Sequence, residues 1–407
     1  MQKRLSNSKI VIMLFAGLVL FTANYSQYQL SSLSYLIIPT YQLTNEQFSK
    51  LFTAAMVPGA TLSLISGILA DRFGVRRCIF FAVLIGTTGI VLRCFCTTYS
   101  MLFVCMLLTG FGVTFVNANA AKLVGSLYDK AKLGAMLGLL LAGSTIGTTL
   151  AMGTTVALFP SLKSAYLAAA VLAVITLGGW IFIAGGQIVG SRNGKKETKK
   201  NNGGVLRELG VVIRSLSTWK TGLCLLFCVG GSVALSTFLP IIFQNMKGLS
   251  ATASGVITAL MLCGNFCGNI IGPRVCRVFP WDQRRTICAF QIIAGVGILL
   301  MLVLNAGFAL YGVCFLTGIA IYASVPTLIS IPIQLPEVGE KYAGTAGGFI
   351  ATMQLIGCVC LPSYVIAPVS GGNYKMILLI TAACYAVTAG TVWALPRLKN
   401  TPCRVED

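Results

Sequence analysis

Histidine is absent from this 407-residue chain, and acidic side chains number only ten against thirty lysines and arginines. The first absence removes the side chain most often used for proton transfer near neutral pH, together with the usual mixed zinc sets. The cysteine pairs Cys224/Cys228 and Cys263/Cys267, each at i, i+4, therefore read as small packing residues in apolar helices. Charge of any kind is scarce: charged residues make up 10% of the chain, where an ordinary soluble domain carries about a quarter. Period-two alternation is also missing from the apolar runs, which argues against a membrane barrel.

What the chain has instead is hydrophobic sequence, 56% of it. Apolar runs of about 20 residues recur from end to end, each long enough for a helix to cross about 30 Å of hydrocarbon. They place spans near 10–37, 48–70, 78–97, 101–125, 132–157, 163–184, 220–244, 251–272, 286–305, 308–333, 342–368 and 374–395. The basic start (Lys3, Arg4, Lys9) leads into a long run, so the first span is read as retained and not as a cleaved leader. The longest polar interval, 185–219, is basic and glycine-containing. It divides the chain into an N-terminal six-helix bundle (1–184), a cytoplasmic linker (185–219) and a C-terminal six-helix bundle with a short tail (220–407). The expected fold is thus an all-α integral membrane protein with twelve spans.

Lysine and arginine set the orientation. With both termini cytoplasmic, only Lys50, Lys163, Lys247 and Lys375 fall outside, while Arg93 and Lys122 lie within or at the end of spans. The net charge of +20 is on this reading a topology signal, and nucleic-acid binding has no domain to house it. The two halves also repeat. At an offset of 210, Gly134, Gly138 and Gly147 meet Gly344, Gly348 and Gly357; at 205, Gly67 and Arg72 meet Gly272 and Arg277. Two parallel six-helix repeats predict a pseudo-twofold axis with a solute site near the bilayer midplane.

Between the second and third spans stands Gly67-Ile68-Leu69-Ala70-Asp71-Arg72-Phe73-Gly74-Val75-Arg76-Arg77. This segment resembles the signature loop of the major facilitator superfamily, and span count, halves and charge extend the resemblance over essentially the whole chain. The resemblance implies a secondary transporter working by alternating access, without a cofactor and as a monomer. It implies that Asp71 caps a helix of the other half with Arg72, Arg76 and Arg77 as basic partners, while Gly67 and Gly74 allow close approach and a tight turn. A carboxylate at a helix N-terminus gains about 0.3–1 kcal/mol, and a contact made in only one rocking state works as a conformational gate. The equivalent loop of the second half, Gly272-Pro273-Arg274-Val275-Cys276-Arg277, lacks the aspartate. Arg93, the Gly110-Phe111-Gly112 turn and Asn117 look like the cyanate and nitroimidazole transporter branch, which handles organic anions. Where that branch often has an arginine in the first span, this chain has Asn24-Tyr25-Ser26-Gln27-Tyr28-Gln29.

The acids are Glu46, Asp71, Asp129, Glu197, Glu208, Asp282, Glu337, Glu340, Glu406 and Asp407, all in predicted loops or tails. Proton-coupled drug or cation efflux, which calls for a titrating or cation-pairing acid at depth, is the weaker alternative. A membrane enzyme would need paired carboxylates, histidine or metal in the spans. A transporter-like sensor would carry a soluble domain or long tail, and only Arg397 to Asp407 follows Pro396. The remaining charge at depth, Arg93, either snorkels to the headgroups or faces the cavity, where its fork suits an oxyanion. Asn24, Gln27 and Tyr28 share a helix face at i, i+3, i+4. With Asn117, Ser236, Phe238, Asn265, Asn269, Tyr322 and Gln354 they form the candidate site for a small polar, anionic organic solute. Interhelical hydrogen bonding is the competing role for each amide. Pro39, Pro58, Pro240, Pro326, Pro332 and Pro362 are expected to bend their helices.

Overall fold

The computed structural model describes residues 2–128, 130–188, 210–278, 282–334 and 339–396. Most of the basic interval between the halves lies outside these residues, as do Asp129, Glu197, Glu208, Glu337, Glu406 and Asp407. The side chains of Asp71, Lys132, Arg277, Pro332, Glu340 and Lys341 are likewise outside the described set.

Among the described residues every regular element is helical. The order is α1 (Gln2–Ser32), α2 (Ser34–Thr40), α3 (Asn45–Thr53), α4 (Val57–Phe73), α5 (Val75–Leu92), α6 (Tyr99–Gly125), α7 (Lys130–Leu158) and α8 (Leu162–Ile188). There follow α9 (Leu216–Lys247), α10 (Ala251–Val278), α11 (Gln283–Val303), α12 (Phe308–Ala323), α13 (Val325–Gln334), α14 (Gly339–Cys360), α15 (Ala367–Ser370) and α16 (Tyr374–Trp393). Polar side chains begin several helices where the chain re-enters: Thr44 and Gln47 form a capping box on α3, Thr98 caps α6, Asp282 caps α11 and Asn373 caps α16.

Eleven helical stretches among the described residues are long and apolar enough to cross a membrane. The remaining predicted span, the second at 48–70, is divided: α3 and α4 are joined through a 3-10 turn, Ala54–Met56. Pro58 explains the division, because it has no N–H to give to the carbonyl of Ala54 and its ring crowds that carbonyl. Two other spans break near proline. The tenth is cut at Ser324, just before Pro326, and the eleventh passes from α14 into a π-turn, Leu361–Ile366, that contains Pro362. Pro240, by contrast, sits inside the unbroken α9.

The chain falls into two compact units, Met1–Lys196 with Ser250–Ala259, and Glu197–Leu249 with Leu260–Asp407. In the first, α1 packs chiefly on α7, α8 and α6, and α5 on α6 and α8. In the second, α9 packs on α14 and α16, and α11 on α16 and α12. A methyl group on Gly147 would meet the backbone of Phe21 in α1, and one on Gly357 would meet the backbone of Leu226 in α9. These glycines are a pair from the sequence repeat, and each lets the fifth helix of its half cross the first at backbone distance. Gly138 and Gly348, a second pair, have no such neighbour. The outward faces are apolar: on α8, Leu167, Val171, Val174 and Ile175 are exposed, while Ala169, Ala170, Ala173 and Trp180 are buried. A helix apolar all round fits a span with lipid on one side and protein on the other.

Candidate functional site

The first unit buries a full positive charge. Arg93 follows α5 directly, in a 3-10 turn running to Phe95, and is 1% exposed. Its Nη1 donates to the Ser26 carbonyl at 2.7 Å and its Nη2 to Gln29 Oε1 at 3.0 Å, both on α1. The guanidinium carbon lies 4.2 Å from the centroid of the Tyr166 ring on α8. Arg93 therefore neither snorkels nor stands open to solvent; it ties the end of α5 to α1 and α8. Gln29 extends the tie by donating to the Ala165 carbonyl at 3.1 Å. None of the described groups around Arg93 is a carboxylate, and among the described residues Arg93 Nε, Tyr166 Oη and Ser26 Oγ are buried without a hydrogen-bond partner. Taking such a charge out of water costs several kcal/mol, and two neutral acceptors with one ring face offset only part of that.

The polar face predicted on α1 divides between two neighbours. Asn24 Nδ2 donates to Leu20 O on its own helix at 2.8 Å and to Ser144 Oγ on α7 at 3.1 Å. Gln27 donates to the Phe52 carbonyl of α3 at 3.0 Å, and the Tyr28 ring stands edge-on to Phe52 with centroids 5.2 Å apart. Asn24 and Gln27 thus hold helices together. A second polar stripe on α1, at spacing i, i+4, i+7, lies outside the predicted face. It consists of Thr22, which hydrogen-bonds Thr176 at 3.0 Å, then Ser26 and Gln29. On α6, Asn117 is exposed, whereas Asn119 is fully buried and donates to Phe115 O at 3.0 Å and Ser66 Oγ at 3.4 Å. Asn119 follows Phe115 at i, i+4 on the packed face, and that register is the signal which separates it from Asn117.

The second unit buries a neutral cluster. Gln291 on α11 donates to Ser324 Oγ at the α12–α13 break and to Cys228 Sγ on α9, and its Oε1 is left without a partner. The Tyr385 hydroxyl donates to the Cys228 carbonyl at 3.2 Å. Of the predicted site residues of this unit, Tyr322 stands beside this cluster, near Cys228 and Tyr385, and its hydroxyl bonds Ser232. Ser236 bonds back to Ser232 O at 3.0 Å, and Phe238 is fully buried. The Asn265 amide donates to the carbonyls of Met261 and Gly318. Asn269 is exposed, and Tyr322 and Gln354 are half-buried.

At the predicted gate, Gly74 has a φ of 91° and separates α4 from α5, a conformation that glycine adopts without strain. Asp71 lies in the last turn of α4. Lys122 of α6 donates to the Gly67 carbonyl at 3.2 Å, and Arg72 stacks over Phe73 at 5.4 Å. Arg76 and Arg77, in the first turn of α5, each engage a partner.

The sequence matches the family model of the Major Facilitator Superfamily over residues 12–362. It is 23% identical over 352 residues to a probable nitrate/nitrite antiporter, NarK1, of Thermus thermophilus, covering 79% of this chain and 76% of that protein. Among solved structures it resembles a bacterial homologue of the human lysosomal transporter Spinster in an inward-facing, unoccupied conformation. The TM-score is 0.71 at 14% identity, over 95% of this chain and 98% of that one. It also resembles a mutant form of the nucleoside transporter NupG, with a TM-score of 0.74 at 14% identity over 95% and 99%. These likenesses are to transporters, and the chain is a multi-pass membrane transporter and not an enzyme. With the family model spanning most of its length, the chain belongs to the Major Facilitator Superfamily.

Proposed function

We propose that this transporter carries a small anion by alternating access, with both termini cytoplasmic. The observation that carries the reading is Arg93: a permanent cation, 1% exposed, with no carboxylate among its described neighbours. In a medium of low dielectric such a charge makes the interior of its bundle positive and favours an anion over a cation or a neutral solute. The absence of acids from the apolar runs works in the same direction. The nitrate/nitrite relative extends the candidate solutes from organic carboxylates to small inorganic oxyanions. The gate in this scheme is Asp71 with Arg72, Arg76 and Arg77, hinged at Gly67 and Gly74.

Proteoliposome flux tests the reading. Nitrate, nitrite and small carboxylates are expected to exchange or enter, and Arg93→Gln is expected to cut that flux at least tenfold while the protein still purifies folded. Equal flux in Arg93→Gln, or transport restricted to a cation or a nucleoside, sinks it.

A further inference from the structure

A group of cysteines at the end of α5 lies outside everything described so far. The segment Cys94-Phe95-Cys96 leads into α6, which carries Cys105 in its second turn. Cys96 Sγ and Cys105 Sγ are 3.4 Å apart, in van der Waals contact. Cys105 is 5% exposed and Cys96 is half-buried, so one thiol of the pair is reachable and the other is held behind it. The position is fixed from several sides. The Cys96 amide bonds the Arg93 carbonyl at 3.3 Å, its thiol lies 3.5 Å from the Leu92 carbonyl, and the Tyr41 hydroxyl donates to its carbonyl at 3.0 Å. This is also the end of α5 remote from Arg76 and Arg77, and positive-inside bias puts it on the non-cytoplasmic face, where thiols meet oxidants.

We propose that Cys96 and Cys105 are a redox modification site that closes to a disulfide on encounter with an external disulfide, a small molecule or an oxidising protein. The Cys96 thiolate attacks one sulfur of the incoming disulfide, breaking its S–S bond and releasing one thiolate. The Cys105 thiolate then attacks Cys96 Sγ and expels the second. Two thiol protons leave to the released thiolates; the two cysteines are oxidised and one disulfide is reduced to two thiols. Partial exposure of Cys96 makes it the thiol that meets and attacks the external disulfide, and the contact with Cys105 makes the second step intramolecular. Closure would fasten α6 to the turn that carries Arg93. Arg93 would lose freedom without losing a contact.

The test treats the intact reconstituted protein with oxidised glutathione at mildly alkaline pH, then alkylates, digests and reads the 94–106 region by mass spectrometry. The expected result is loss of two hydrogens and of alkylation at Cys96 and Cys105, reversed by reductant. Closure should persist in Cys94→Ser and vanish in Cys105→Ser, and the oxidised wild-type protein should melt a few degrees higher. Full alkylation of both residues after oxidation, or a bond from Cys96 to Cys94, overturns the proposal. So does protection that a copper(I) chelator removes and a reductant does not, since that outcome belongs to a bound soft metal.

Discussion

The third span of each half carries its most consequential buried polar side chain, and the two solve different problems. Arg93 in the first half is a charge, held by a carbonyl, an amide oxygen and a ring across α1 and α8. Gln291 in the second half is neutral and reaches only a hydroxyl and a thiol. A charge without a counter-ion is costly to bury, so the first half surrounds it on several sides and still leaves Nε unpartnered; an amide is cheaper, and in the second half the orphaned atom is a neutral Oε1. The repeated scaffold is shared, as Gly147 and Gly357 show, and the polar content inserted into it is not. Selectivity is accordingly sought in the first half.

The comparison can be broken most severely by giving the second half a charge. Gln291→Glu places a carboxylate where no cation stands among the described contacts, and a loss of about 3–5 kcal/mol is expected, read as a large fall in the thermal midpoint in detergent. Little change would mean that the second half tolerates charge as the first does. Next come the paired crossings. Gly147→Val and Gly357→Val should each lose about 1–3 kcal/mol from overpacking, while Gly138→Ala and Gly348→Ala stay near wild type in the same assay. If only one of the first pair is damaging, the two halves do not share this contact energetically. Arg93→Met is expected to be milder, at about 1–2 kcal/mol, because removing the charge relieves its desolvation while orphaning Ser26 O and Gln29 Oε1. A loss as large as that of Gln291→Glu would show that the charge is stabilising in place. The smallest effect separates neighbours on α6: Asn119→Ala should cost about 1 kcal/mol and Asn117→Ala less than about 0.5, as measured by thermal shift.

Much of the fold could be read from the apolar runs, because hydrocarbon leaves few alternatives to a helix about 20 residues long. The interruptions were harder. Pro58, Pro326 and Pro362 announce themselves as breakers, yet Pro240 looks the same in sequence and leaves α9 continuous, since packing decides whether the freed carbonyl is accommodated. Arg93 was visible as a charge at depth, but its partners were not. Asn24, Gln27 and Tyr28 drew attention as the bulkiest polar set on α1, while the stripe that receives Arg93 runs through Thr22, Ser26 and Gln29. Which of two polar faces meets α5 and α8 depends on helix rotation, and the close crossings of α7 at Gly143 and Gly147, far along the chain, constrain it. Asn117 and Asn119 differ for a similar reason: amides two residues apart point to different surroundings, and the apolar register of α6 is what distinguishes them.

The widened turn at Leu361–Ile366 has an effect on bookkeeping between the halves. A π-turn accommodates about one residue more than an α-turn in the same rise, so side chains after Ile366 are rotated by roughly 100° from where a steady count from Gly357 would put them. A correspondence carried on from the Gly147/Gly357 pair at constant offset falls out of phase after Ile366. Trimming one residue from that turn would restore the regular count and swing Pro368 and Val369 round to a new azimuth.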